Sequence, residues 1–126
     1  MAKSIDEVKT LPIGEALGVC PATEVSESFL VCMVRRMHMS FRKYGPIAEA
    51  FPHNVNAIKS ALNCVAKYLK TGNLEYLVDA ANYLMIEAKR PKHARAYWQA
   101  VDAAKSAGRV WNDGEVSQRY NDFTPA

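Results

Sequence analysis

Apolar residues recur through the middle of the chain at the three- and four-residue spacing of an amphipathic α-helix. Thr23 fits the N-cap of the first such segment, and Gly45 followed by Pro46 fits its end, so a helix is predicted from about residue 23 to residue 44. Additional apolar residues widen its stripe, which indicates a central helix or an intermolecular contact. The stripe comprises Leu30, Met33, Val34, Met37, Phe41 and Tyr44.

Two more helical stripes follow. The third predicted helix begins after Asn54 and ends at Gly72, and Asn73 caps a fourth helix that ends before Pro91. Because the connection is so short, these two helices are expected to form an antiparallel hairpin. The third helix is expected to bury Val55, Ile58, Ala61, Leu62, Val65 and Leu69. The fourth is expected to bury Leu74, Leu77, Val78, Ala81, Leu84, Met85 and Ala88.

The two ends of the chain have weaker patterns. Ser4 and Glu7 fit a capping box for a short first helix, and residues 11–21 read as a loop with about one helical turn. An alanine-rich fifth helix is predicted from His93 to Gly108. We therefore expect one all-α domain over residues 1–126, a compact bundle of four to five helices around the central antiparallel hairpin. Its core would span residues 23–107 and its C-terminal tail residues 108–126.

Size and composition fit an ordinary globular domain. The chain has 126 residues, 49% of them hydrophobic and 23% charged, and a formal net charge of +3. This charge is too small to predict a nucleic-acid-binding protein by itself. Three cysteines without a CxxC motif favour free thiols, and no secretory signal or membrane-spanning segment is recognisable. We expect a cytoplasmic protein that does not contact a membrane.

A polar flank on the fourth helix is the first candidate for chemistry. Glu75, Asp79 and Asn82 fall together beside the apolar stripe at helical spacing. Two interpretations are open. The flank is either the solvated side of a surface helix, or a site where Glu75 and Asp79 share a Mg²⁺ ion, which prefers oxygen ligands and could hold a nucleotide's phosphates.

The segments "RRMHMSFRKYGP" and "YLVDAANYLMIE" resemble a family of small helical proteins common in phages and prophages. These proteins look like distant relatives of the MazG-like all-α nucleotide pyrophosphohydrolases. The resemblance covers roughly residues 35–93. It implies that Asp79 and Asn82 are one pair of signature positions, and that Tyr44 and Gly45 are the other. The host-cell cytoplasm is the implied location of a phage-encoded protein.

The MazG-like resemblance also implies a catalytic hypothesis. Those enzymes hold Mg²⁺ with an E-x-x-E pair and an E-x-x-D pair, and they dimerise. This chain has Glu24 and Glu27 in the first spacing, whereas Glu75 and Asp79 are one residue further apart than the second pair requires. A complete catalytic quartet is therefore not recognisable, and the resemblance supports the fold better than the reaction.

Two basic segments remain. Arg35, Arg36, His38, Arg42 and Lys43 follow each other on the second helix, as a phosphate-binding patch or as a complement to the helix dipole. A second segment mixes cations with aromatic residues, a composition typical of a protein-binding hot spot, of nucleotide or nucleic-acid contact, or of a loop whose Trp enters the core. The candidate partner-binding residues there are Arg90, Lys92, His93, Arg95, Tyr97 and Trp98, with Trp111 beyond them.

Two functions follow from these patterns. The first is a small non-enzymatic phage or mobile-element protein, without a cofactor, that binds a host protein or nucleoprotein complex, for example to inhibit host defence. The alternative is a MazG-like, Mg²⁺-dependent nucleotide pyrophosphohydrolase or nucleotide-binding protein, in which a metal-bound water attacks a phosphate. The resemblance to dimeric enzymes adds a homodimer as a partner.

Overall fold

The structure is a computed structural model, which describes residues 5–51 and 53–100. Within these ranges the chain forms a short 3₁₀ turn and five α-helices, without a β-strand. The all-α class is therefore confirmed, while the central antiparallel hairpin stays a prediction. The 3₁₀ turn spans Ile5–Glu7, and the helices are α1 (Ile13–Val19), α2 (Glu27–Tyr44), α3 (Ile47–Ala50), α4 (Ala57–Thr71) and α5 (Glu75–Lys89).

The start of α2 lies three residues after the predicted one. The Ser26 side chain accepts a hydrogen bond from the backbone N–H of Phe29 at 3.0 Å, which makes Ser26 the N-cap. Thr23 instead lies in a turn in which the Glu24 N–H donates to the Pro21 carbonyl at 2.9 Å. Glu24 is consequently outside the helix. The predicted end is confirmed, because Tyr44 is the last residue of α2.

Local side-chain hydrogen bonds also set the limits of α4 and α5. Asn56, not Asn54, caps α4, since its Oδ1 accepts from the Lys59 N–H at 3.0 Å. Gly72 ends α4 in the left-handed conformation, with φ of 77°. The N-cap of α5 is Leu74, one residue after the predicted Asn73, and Asn73 Oδ1 accepts from the Glu75 N–H at 3.0 Å.

Three predicted segments differ at the two ends of the chain. Ile5–Glu7 is only a 3₁₀ turn, whereas Ile13–Val19, expected to be mainly loop, forms a seven-residue helix. The prediction of a fifth helix beginning at His93 is wrong for residues 93–100, which are not helical. The segment instead follows Pro91 into a turn, in which the Ala96 N–H donates to the His93 carbonyl at 3.2 Å. The rest of that prediction, the tail and Trp111 lie outside the described residues.

A small core lies mainly between α4 and α5, which pack against one another more extensively than any other pair of described elements. Its buried apolar residues are Ala57, Ala61, Val78, Ala80 and Ile86. Three of these five are alanines, so the helices can approach closely but bury little apolar surface. Hydrophobic burial among the described residues is therefore modest.

The face that α5 buries differs from the predicted one. Leu74, Leu84 and Met85 were expected in the core but are 67%, 53% and 39% exposed. Asn82 and Ile86, one turn apart, are each only 5% exposed. The reason is that α2 packs against the polar flank of α5, which turns much of the apolar stripe outward.

Helix α2 likewise leaves much of its predicted stripe uncovered. Val34, Phe41 and Tyr44 are 69%, 58% and 70% exposed, because α2 contacts α5 through Met33, at one edge of the stripe, and through Arg36 beside it. None of the helices in the described part of the chain is both long and apolar enough to cross a lipid bilayer.

The cap of α4 gives a first testable prediction. Replacing Asn56 with Ala removes the side-chain acceptor for the Lys59 N–H and should lower the free energy of unfolding by about 1 kcal/mol. Asn54→Ala is the matched control, and its effect should stay within about 0.5 kcal/mol, as for most surface substitutions. Urea denaturation followed by circular dichroism measures both. Equal effects of the two substitutions would contradict the assigned cap.

Candidate functional site

A polar cluster, comprising Arg36, Glu75, Asp79 and Asn82, joins α2 to α5. The Arg36 guanidinium binds both oxygens of Asp79, with Nε 3.1 Å from Oδ1 and one terminal nitrogen 3.3 Å from Oδ2. The same terminal nitrogen lies 3.0 Å from Glu75 Oε1. One guanidinium therefore bridges the two carboxylates, and its contact with Asp79 has the two-point geometry that arginine favours.

Asn82 is the buried member of the polar cluster. Its side-chain N–H donates to the Met33 carbonyl at 3.0 Å, and only 5% of the residue is exposed. Arg36 lies one turn after Met33, and Asp79 lies one turn before Asn82, so α2 and α5 run in opposite directions where they touch. Asn82 Oδ1 has no hydrogen-bond partner among the described residues. The buried amide of Asn82 therefore joins α5 to the backbone of α2.

Burial and charge change the proton affinities of groups around this contact. The hydrogen bond to Asp79 raises the pKa of Arg36, which keeps the guanidinium charged. Burial raises the pKa of Tyr83, whose ring lies 6.4 Å from that of Phe51 between centroids. Burial, followed by the negative charge of Asp79, also raises the pKa of Cys64. Cys64, like the other two cysteines, is a free thiol. Its raised pKa keeps this thiol in the neutral form.

The donor atoms of the polar cluster do not fit a Mg²⁺ ion well. Mg²⁺ needs several oxygen ligands in octahedral geometry, but both carboxylates already bind Arg36. Glu27 is nine residues before Arg36 on α2, which places it roughly 13 Å away along the helix axis. Glu24 lies further away, before the helix begins. In the described ranges, no three Asp, Glu, His or Cys side chains come together in a metal-binding arrangement.

The other signature pair, Tyr44 and Gly45, ends α2. Gly45 has φ of 83°, and its N–H donates to the Phe41 carbonyl at 2.9 Å. This left-handed backbone conformation favours glycine, and it turns the chain into α3. The Tyr44 side chain is 70% exposed, with the Lys43 ammonium 5.8 Å from its ring centre. The contacts of Tyr44 and Gly45 are therefore those of residues that end a helix.

A groove of about 200 Å³ lies where the chain leaves α5, and we call it the Trp98 groove. Glu87 and His93 contribute polar atoms to its edge. Tyr97 and Trp98 remain 63% and 46% exposed, so large aromatic surfaces border an open groove. Its apolar lining comprises Ile5, Ala88, Pro91, Ala96, Tyr97 and Trp98.

Hydrogen bonds between side chains and backbone groups shape the chain around this groove, and several of them involve predicted partner-binding residues. Glu87 accepts a hydrogen bond from the Lys92 N–H at 2.8 Å, and His93 Nδ1 accepts from the Arg95 N–H at 3.0 Å. Arg90 donates to the Phe51 carbonyl at 3.2 Å, so its side chain ties the end of α5 to the segment after α3. The structure thus brings His93, Tyr97 and Trp98 into one groove, while the Lys92 and Arg95 residues are exposed near it.

Next to the Trp98 groove along the chain, α5 has apolar residues of its predicted stripe that are exposed. Ala88 lines the groove, and Leu84 and Met85 lie one turn before it on the same helix. We call Leu84, Met85 and the groove together the α5 apolar surface. Its leucine and methionine are 53% and 39% exposed. An exposed apolar surface that adjoins an aromatic groove is typical of a binding site.

Two contributions could not be recognised in the sequence. Arg36 was grouped with neighbouring cations, although its geometry is that of a partner for Asp79, 43 residues away. Ile5 was placed in a short helix, although it lines the Trp98 groove, and the ion pair of Asp6 with Lys89 at 2.9 Å holds this segment on α5. No local pattern signals contacts at such sequence separations.

A comparison of the chain with protein-family models, curated proteins and solved structures finds no match.

The polar cluster predicts coupled stability effects. Asp79→Ala should lower the free energy of unfolding by about 1–2 kcal/mol, because it removes a charged two-point contact that solvent partly screens. Arg36→Ala combined with Asp79→Ala should show a coupling energy of about 0.5–1.5 kcal/mol in a double-mutant cycle. The more exposed pair of Lys89 and Asp6 is the control and should couple more weakly. Additive effects at Arg36 and Asp79 would contradict the proposed role of their contact.

The raised pKa of Tyr83 predicts a pH dependence of stability. Because the folded pKa exceeds the unfolded value of about 10, the neutral phenol stabilises the fold fully below that pH. This contribution is lost as the pH rises through the folded pKa. Tyr83→Phe should therefore reduce the loss of stability above about pH 10 in urea titrations. An equal loss of stability in Tyr83→Phe and in the wild type over this pH range would contradict the assignment to Tyr83.

Proposed function

We propose that this protein is a non-enzymatic binding protein whose α5 apolar surface engages another protein. The observation that carries this proposal is the combination of exposed Leu84, Met85, Tyr97 and Trp98 side chains with an open groove on one side of a small domain. Monomeric globular proteins seldom leave a contiguous apolar area of this kind uncovered without a function. Trp and Tyr are also the residues that most often dominate binding energy.

The charges around the α5 apolar surface favour an acidic partner. Lys89, Arg90, Lys92 and Arg95 lie in the last turn of α5 and the segment that follows it. A positively charged edge around an apolar centre accelerates association with an acidic surface and excludes basic ones. Such a partner is either an acidic protein or a protein that carries nucleic acid.

The resemblance of α2 and α5 to small phage proteins supports a host protein or a nucleoprotein complex as this partner. A protein of this size acts by occupying a surface that the host complex needs for its own contacts, and inhibition of a defence complex is one such role. Direct contact with nucleic acid phosphates through Lys92 and Arg95 belongs to the same proposal. The site of action would be the host-cell cytoplasm.

The nucleotide-hydrolase alternative receives less support from the contacts. Its proposed metal ligands Glu75 and Asp79 bind Arg36, and Asn82 binds the α2 backbone. Each of these side chains therefore has a structural explanation. A Mg²⁺ ion would have to displace Arg36 before it could bind both carboxylates.

Substitutions on the α5 apolar surface test the binding proposal. Immobilised protein is used to retain partners from bacterial extract, and an identified partner is then purified and titrated calorimetrically. Trp98→Ala should weaken its affinity at least about tenfold, as expected for a central aromatic anchor, and Leu84→Ala by a smaller factor. Leu69→Ala is the matched control, because Leu69 is 56% exposed at the opposite end of the α4–α5 pair. Equal affinities of Trp98→Ala and wild type would overturn the assignment of this surface.

A separate titration tests the alternative. Calorimetry with Mg²⁺ and a panel of nucleoside triphosphates should give no saturable heat with the wild-type protein. Saturable binding that Asp79→Ala abolishes, with the variant still folded by circular dichroism, would replace the binding proposal by the nucleotide one. Glu27→Ala is the control, since Glu27 lies far from Asp79 along α2.

A further inference from the structure

Positive charge is concentrated in the part of the chain that contains α2 and α4. Residues 28–74 contain seven Lys or Arg residues and a single acidic residue, Glu49, whereas the net charge of the whole chain is only +3. The remaining residues together are therefore net acidic. A charge asymmetry of this kind within one chain indicates a surface that binds a polyanion.

Four cations of this segment lie where α2 and α4 end. Arg42 and Lys43 are in the last turn of α2. Lys70 is in the last turn of α4, and Lys67 lies just before that turn. We call these four residues the basic end. All four are exposed, and none of them forms an ion pair with an acidic side chain in the part of the chain that the structure describes.

Contacts with the first turn of α5 bring the ends of α2 and α4 near the start of that helix. Arg36 binds Glu75 at 3.0 Å, and α2 continues past this contact toward Arg42. From α4, Lys67 Nζ lies 5.8 Å from the ring centre of Tyr76. Since Glu75 and Tyr76 are neighbours in the sequence, the cations that end α2 and α4 belong to one region of the surface.

The basic end keeps a net positive charge in these surroundings. Glu75 and Asp79 share one cation, Arg36, and so leave one negative charge beside α2. Glu49 in α3 contributes another. The four cations of the basic end outnumber these negative charges. A bound polyanion would supply the negative charge that the surrounding side chains do not.

We propose that the basic end binds a single strand of nucleic acid. Its four cations would contact phosphates, which releases the counterions of the strand. Tyr44 adds a ring that is 70% exposed, with the Lys43 ammonium 5.8 Å from its centre. An unpaired base can stack on such a ring, whereas the bases of a double helix are stacked on each other. The basic end and the α5 apolar surface share no residue, so the inference does not depend on the proposed function.

The salt dependence of binding tests the contacts with phosphates. Fluorescence anisotropy with a labelled single strand of about 20 nucleotides should show saturable binding at about 50 mM salt. The logarithm of the affinity should fall against the logarithm of the salt concentration with a slope of about −3, as expected for four phosphates on a single strand. Arg42→Gln and Lys70→Gln should each make this slope shallower by about 0.7. Lys59→Gln removes the same charge at the other end of α4 and should leave the slope unchanged.

A second variant tests the stacking contact. Tyr44→Ala should weaken the affinity about tenfold and leave the salt slope unchanged, because stacking on a ring releases no counterions. A duplex of the same sequence should bind more weakly than the single strand. Circular dichroism should show all variants folded, since the substituted side chains are exposed.

Four results would overturn the inference. The first is a wild-type protein without saturable binding to the single strand, and the second is a duplex that binds as tightly. The third is a loss of affinity in Lys92→Gln that Arg42→Gln and Lys70→Gln do not share, which would assign the phosphates to the segment after α5. The fourth is displacement of the strand by polyglutamate as readily as by unlabelled strand, which would identify a surface for an acidic protein.

Discussion

The contact of Arg36 with Asp79 and Glu75 holds the polar flank of α5 against α2. Few large apolar side chains are buried among the described residues, and three of the five buried apolar residues are alanines. Directional polar contacts therefore have more influence here than in a domain with a large core. Because Arg36 holds the polar flank of α5 against α2, the apolar edge that carries Leu84 turns outward.

This rotation connects the fold to the proposed binding function. If the stripe of α5 faced α2, Leu84 and Met85 would lie in the core, and the Trp98 groove would have no apolar extension. The same contact uses Met33 and Arg36 of α2 and leaves Val34, Phe41 and Tyr44 exposed. The protein thus exposes two apolar surfaces on different helices.

The exposure of the predicted apolar stripes on α2 and α5 has one physical cause. Amphipathic periodicity identifies an apolar stripe, but it does not state which neighbour covers the stripe. On α5, Asn82 is buried with its amide donating to a backbone carbonyl of α2, a contact that helical periodicity does not signal. The failed helix after His93 has a related cause, since Glu87 and His93 bind backbone N–H groups there.

The sequence by itself determined the three longest helices, α2, α4 and α5, because their signals are local. Gly45 and Gly72 supply the left-handed residues that end α2 and α4, and the apolar spacing marks the segments before them. It also singled out Asp79, Asn82 and Trp98 as unusual. Only the tertiary structure decided what these residues contact, since Arg36 and Asp79 are 43 positions apart and Met33 and Asn82 are 49 apart. Such pairs depend on how whole helices pack, and helical periodicity carries no information about a distant partner.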